Sequence, residues 1–179
     1  LFRSEELSVS DRNNIGYQYT DCPLYWISVI YLNFAEAKAE MGSLTQDDLN
    51  NSINKLQARA GLPAMTTTPD ADPANNMGVS NLIWEIRRCR RCELIMDNWY
   101  RYWDLIRWHQ LDKLDSTKYP NTMLGANVSN VPDCEEATKN GYIDASDAQI
   151  RTYEAKHYFY PIPTTQLTLN KNMKQNPGW

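Results

Sequence analysis

Along 81–109 the chain places apolar residues at Leu82, Ile86, Cys89, Cys92, Met96, Trp99, Trp103 and Ile106. Every step between them is three or four residues, the spacing of one helix face, with no strand-like alternation. Neither Gly nor Pro interrupts the stretch, so it predicts one long helix over 81–109. Its stripe is expected in the core, and Trp84, Trp99, Trp103 and Trp108 are expected buried or half-buried. The other faces are crowded with charge. Glu85 and Arg88, Arg90 and Glu93, Asp97 and Arg101, and Asp104 and Arg107 stand at helical pairing distance, so the arginine run reads as a paired, solvated face. Asp104 and Arg107 are expected to lock the end of this helix against neighbouring loops.

Upstream, the pattern predicts a helix pair over 23–61. Asp21 or Cys22 serves as a cap, and Pro23 sits near the first helical position, where its missing N–H costs nothing. Ile27, Ile30, Tyr31, Phe34, Ala37 and Met41 mark successive turns, and Gly42 terminates them. Thr45, with Asp48 three residues on, forms a capping-box signature. Leu49, Ile53, Leu56 and Ala60 line the second helix, which Gly61 and Pro63 end. Two helices this close make an antiparallel hairpin, near the size of one tetratricopeptide-type unit. Pro, Thr, Asp and Asn then make 63–80 an irregular linker, and Ser80 caps the long helix. A short amphipathic piece, Leu111 to Leu114, follows that helix. The region 115–179 is loop-rich, with 151–160 as a short strand or stem and Thr164 or Thr165 capping one turn that runs to Leu169. The fold class is mainly α.

Composition adjusts this picture in three ways. The 179 residues are the size of one ordinary domain, and eleven Tyr and six Trp stand against three Phe. Rings with polar handles suit carbohydrate or interface surfaces as well as cores. A net charge of −4 and a pI near 5.2 argue against a nucleic-acid partner. The apolar runs fall short of the roughly 20 residues of a membrane span, and the first residues lack the pattern of a signal peptide. Cys89 and Cys92 form a C-x-x-C in mid-helix with no second cysteine pair or histidine pair, and read as small buried hydrophobes. A Cys22–Cys134 disulfide is open on sequence grounds. Asp70, Asp72 and Asn75 hint at a calcium loop, but Pro73 and the missing later Glu break the pattern. No G-x-S-x-G, H-E-x-x-H or phosphate loop occurs, so neither an enzyme nor a cofactor is expected.

Four segments, taken in order, resemble the C-terminal region of the SusD/RagB family of Bacteroidetes outer-membrane nutrient-binding lipoproteins. They are YWISVIYLNFAEAKAEMG, INKLQARAGLP, IRRCRRCELIMDNWYRYWDLIRW and YPIPTTQLTLNKNMKQNPGW. Within the third, Cys89 stands where the family's pattern has an acid, Asp97-Asn98 replaces its Glu-Gly, and one residue is added before Arg101. The resemblance implies a tetratricopeptide-like helical scaffold with long irregular loops that carry the ligand site, covering 1–179 as the C-terminal region of a SusD-like domain. It also implies a cell-surface location, through a lipid anchor on an N-terminal Cys absent from this chain. The partners it implies are a SusC-like TonB-dependent transporter and a glycan, or sometimes a peptide, that is bound without being cleaved. For a glycan, rings in loops are the candidates, because a sugar's C–H face stacks on them: Tyr119 and Tyr142, with Asn121 for hydroxyls, and additionally Asn127 and Trp179. The alternative is a plain helical-repeat protein–protein interaction scaffold.

Overall fold

The computed structural model describes residues 25–97, 100–131, 138–144 and 149–179. Asp21, Cys22, Pro23, Trp99 and the Cys22–Cys134 pair lie outside the described residues. The chain divides into two compact units, Leu1–Leu94 and Ile95–Trp179.

In the first unit, α1 (Ile27–Glu40) is followed by α2 (Gln46–Asn50), α3 (Ile53–Arg59) and α4 (Asn81–Glu93). The helix begins at Ile27 behind an extended Trp26. Its buried face is Ser28, Val29, Leu32, Ala35 and Glu36, whereas Ile27, Ile30, Phe34 and Met41 of the expected stripe are exposed. The partner decides this choice. Helix α4, which packs on α1, presents Arg87 and Arg90, and those cations need Glu36 and Asn33 facing them. Ala35, fully buried, lets the two helices approach closely.

The second helix of the predicted pair is cut in two at Asn51–Ser52. The Ser52 hydroxyl donates to the Asp48 carbonyl at 2.5 Å, a local bond that competes with the helix ladder. The capping box is present: Thr45 N–H donates to Asp48 Oδ2 at 2.9 Å, and Asp48 N–H to Thr45 Oγ1 at 3.1 Å. Leu32, Leu49, Ile53 and Ile86 form a fully buried centre. Segment 63–80 is irregular, as its composition predicts. Asn54 pins it by accepting from Met65 N–H at 2.7 Å and donating to Met65 O at 3.1 Å. Ser80 caps α4, accepting from Ile83 N–H at 3.3 Å.

The single helix predicted over 81–109 is not continuous. Helix α4 stops at Glu93, Met96 takes a left-handed backbone (φ 64°), and α5 begins at Tyr100. The stripe changes with it. Ile86 is fully buried, but Cys92, Met96 and Trp103 are exposed, and Arg87, Arg90 and Leu94 are buried in their place. A helical phase set over 81–93 cannot carry through a left-handed residue. The arginine run is therefore split: Arg88 and Arg91 are exposed, whereas Arg87 and Arg90 are buried. Arg87 Nε reaches Glu36 Oε1 at 3.2 Å and its Nη2 reaches Glu40 at 2.9 Å. Arg90 Nη1 donates to Asn33 at 2.8 Å, and Glu93 pairs with Arg59 on α3, not with Arg90. The pairs Glu85–Arg88 and Asp104–Arg107 form as the spacing predicts.

The second unit holds α5 (Tyr100–Arg107), one-turn 3-10 helices at Leu111–Leu114, Pro120–Met123 and Ala155–Tyr158, and α6 (Thr164–Leu169). It also contains a small antiparallel sheet of β1 (Leu124–Asn127), β2 (Thr138–Lys139) and β3 (Tyr142–Asp144), with β3 central. The sequence reading expected only loops there. The β2–β3 hairpin turns at Asn140-Gly141, both at positive φ, the signature of a primed two-residue turn. A Cβ at Gly141 would lie 2.1 Å from Ser129 Oγ, so that hydroxyl would have to turn away, and φ +81° strains any side chain there. Residues 151–160 form a 3-10 turn flanked by coil and no strand. Leu105, Trp108 and Leu111 are the buried apolar centre, with Asp104 and Asp115 buried among them. Among the described residues, no helix is long and apolar enough to cross a membrane. The fold is mainly helical.

Candidate functional site

Within the second unit, α5, the turn at 111–114, the segment 151–161 and the chain's last residue enclose a cleft of about 400 Å³. Leu111 and Leu114 contribute aliphatic surface, and Tyr102, Tyr153, His157, Phe159, Tyr160 and Trp179 supply the rings. Two sets of hydrogen bonds hold its walls. On one side Gln175 clamps Ile162 in both directions, accepting from its N–H at 2.8 Å and donating to its carbonyl at 2.9 Å. Asn176 Nδ2 donates to Tyr160 O at 2.7 Å, and Trp179 Nε1 donates to Phe159 O at 2.9 Å. The QNPGW ending is thus stitched onto YPIP, and the stitching fixes the Trp179 ring beside His157, with ring centres 6.0 Å apart. A mobile coil would lose its side-chain and backbone entropy on binding a ligand; a pinned one has already lost it.

The other wall hangs on Asp115. Its carboxylate accepts from Tyr153 N–H at 3.1 Å, from Thr117 N–H at 2.9 Å and from the Thr117 hydroxyl. Ser116 N–H donates to Arg151 O at 2.9 Å, and Arg151 N–H to Ser116 Oγ at 3.0 Å, so the 115–117 turn and the 151–153 strip form one frame. The Thr117 hydroxyl first, and then Tyr153 N–H, hold the Asp115 carboxyl down at about 2. A carboxyl depressed below its ordinary value stabilises the fold fully above about pH 4, and this contribution is lost as pH falls towards 2. Acid titration of the melting temperature should therefore fall more steeply for wild type than for Asp115→Asn between about pH 4 and 2. Equal slopes would remove Asp115 as the frame's anchor. Burial pushes the Tyr153 hydroxyl up to about 12. Tyr102 and Tyr160 face each other at 3.5 Å between hydroxyls, and this contact raises the Tyr102 phenol.

The residues picked from sequence lie elsewhere in this unit, apart from Trp179. Tyr119 is half-buried at the end of the 115–118 turn, and Lys113 Nζ sits 3.0 Å from its hydroxyl and 4.5 Å from its ring centre. Asn121 is exposed in the turn that leads into β1. Tyr142 is half-buried on β3, directly across from Asn127. The sheet thus brings Tyr142 and Asn127 together, and the 120–123 turn carries Asn121. The cleft's lining includes none of Tyr119, Asn121 and Tyr142. Sequence reasoning passed over Tyr102, Arg151, His157 and Tyr160. The available signal was the ring density of YEAKHYFY immediately before PIP, in the segment expected as a short strand or stem.

Other candidates lose their chemistry in the structure. Burial raises the Cys89 thiol to about 11, and Gln57 Nε2 approaches its sulfur at 3.8 Å. Cys92 is exposed rather than the small buried hydrophobe expected. Asp72 is taken by Trp84 Nε1 at 2.9 Å and Ala74 N–H at 2.8 Å. Among the described residues no cluster of three or more His, Cys, Asp or Glu could hold a metal ion.

Irregular segments that build an aromatic cleft on a helical chain define a scaffold of the kind the four sequence motifs resemble. The model of the SusD family matches residues 3–179, and the chain belongs to that family. A SusD-like protein from Bacteroides fragilis superposes with a TM-score of 0.57 at 24% identity, over 85% of this chain and 25% of that one. The solved structure of BT4246 gives a TM-score of 0.57 at 29% identity, over 90% of this chain and 24% of that one. The chain therefore spans about a quarter of the length of the solved structures it matches. No curated protein matches it.

Proposed function

We propose that this chain belongs to a cell-surface glycan-binding protein, held on the outer membrane by a lipid anchor, that captures an oligosaccharide for import through a SusC-like TonB-dependent transporter without cleaving it. The aromatic cleft supports this reading, together with membership of the family. Pyranose rings carry an apolar C–H face that stacks on Tyr and Trp, while phenol and imidazole groups bond hydroxyls. A cleft of this size, mostly apolar with a few convergent polar groups, is what small-ligand sites share. Tyr119, Asn121 and Tyr142 are proposed as a further contact strip on the same unit.

Affinity electrophoresis of the protein through gels containing a panel of polysaccharides tests the reading. Tyr160→Ala is expected to weaken retardation by about tenfold, the worth of one lost ring stack. A paired Tyr119→Ala and Tyr142→Ala change is expected to weaken it less. Binding to peptides alone would sink the glycan reading. The competing protein-interaction reading rests on one observation, the exposed Ile27, Ile30 and Phe34 of α1 with Met41 just past its end, and that outcome would favour it.

A further inference from the structure

The cleft carries one charge whose role within the fold is unaccounted for. Arg151 lines it and is exposed, and its guanidinium makes no ion pair among the described residues. Its backbone, by contrast, is fixed on both sides by Ser116, so the side chain starts from an anchored position. No Asp or Glu side chain is among the residues that line the cleft. The nearest acid in sequence, Glu154, is held by Lys156 at 3.1 Å. His157 adds a second donor. Its Nδ1 accepts from Glu154 N–H at 3.0 Å, which leaves the proton of the neutral ring on Nε2. The lining thus offers rings, phenols, a guanidinium and an imidazole N–H and no acidic side chain; Asp112 and Asp115 stand behind Tyr153 and outside the lining. In a chain of net charge −4, this is a local reversal of sign.

We propose that the glycan this cleft takes is acidic: an oligosaccharide containing uronic acid, whose ring stacks among Tyr102, Tyr160 and Trp179 while its carboxylate is received by Arg151. A planar guanidinium binds a carboxylate through two parallel hydrogen bonds, a geometry that neither a lysine nor a hydroxyl reproduces. The inference rests on the glycan reading above and specifies its substrate class.

Calorimetric titration of the full chain with trisaccharides of galacturonate, glucuronate and mannuronate, each beside its methyl ester, separates the two ideas. The esters keep the ring and remove the charge. At least one acid is expected to bind about tenfold or more tighter than its ester. Arg151→Gln should abolish that difference while leaving ester binding in place, and the retained ester binding also shows that the variant is folded. Arg151→Lys should recover only part of the preference. Added salt should weaken the acid and spare the ester. If the acids and esters bind alike and Arg151→Gln changes neither, the acidic inference falls and the glycan reading stands. If no oligosaccharide binds, charged or neutral, both fall.

Discussion

Arg87→Ala is expected to lower the unfolding free energy of the first unit by about 3–5 kcal/mol, read from urea denaturation. Arg87 and Glu36 are both nearly sealed from solvent, with side chains 9% and 5% exposed and a separation of 3.2 Å. Each ion lost most of its hydration on folding, and their contact returns that cost only while both are present. Removing the arginine takes from the buried Glu36 carboxylate the cation at 3.2 Å, and the loss of this buried pairing accounts for most of the predicted effect. The second partner behaves differently. Glu40, 50% exposed, can rehydrate, so Glu40→Ala should cost at most about 1 kcal/mol. Replacing the buried pair together, as Arg87→Met with Glu36→Leu, should restore much of the single-variant loss, because both members of that pair are removed from the interior. A single Arg87→Ala loss no larger than that of Glu40→Ala would show that water reaches the pair.

The same pair explains why the first helix was read on the wrong face. Ile27, Ile30, Phe34 and Met41 are more hydrophobic than Ser28, Ala35 and Glu36, and a pattern rule ranks faces by hydrophobicity alone. The buried face was instead chosen by what α4 presents, which is information held some fifty residues away in the chain. Local signals were legible for the opposite reason. The Thr45–Asp48 box, the Ser80 cap, and Gly42 and Gly61 at positive φ depend on a few adjacent residues, and each stands where the sequence placed it. The helix over 81–109 failed at a place the sequence did mark. The resemblance shows one added residue near Asp97, and one extra residue turns everything beyond it by about 100° around a helix axis. The helix ends just before this point, with Met96 left-handed, and Trp103 beyond it is exposed. The cleft was half legible. Trp179 was selected as a ring in a loop, but its companions come from α5 and from 151–161. No spacing rule relates those segments, because hydrogen bonds from Gln175, Asn176 and Asp115 place them.

Asp104→Ala should destabilise the second unit by about 1.5–3 kcal/mol while leaving ligand affinity within about twofold of wild type. Asp104 is buried, and it accepts from Arg107 Nε at 2.9 Å. Arg107 in turn lies over the Trp108 ring, 4.7 Å from its centre, and Trp108 is itself buried. The carboxylate therefore holds a cation that covers a core tryptophan, and its removal also loosens that cover. The stated range is that of a hydrogen bond to a charged group and stays below the Arg87 figure. Arg107 is 43% exposed and can rehydrate once its partner is gone, so no stranded charge adds to the cost. Coupling should be visible as non-additivity. Arg107→Ala made on top of Asp104→Ala should cost less than Arg107→Ala alone, by at least about 0.5 kcal/mol. Neither residue lines the cleft, so the melting temperature and the affinity should separate. If Asp104→Ala keeps its stability but loses glycan binding, then the end of α5 serves the ligand directly, and the division between a supporting helix and a binding loop has to be abandoned.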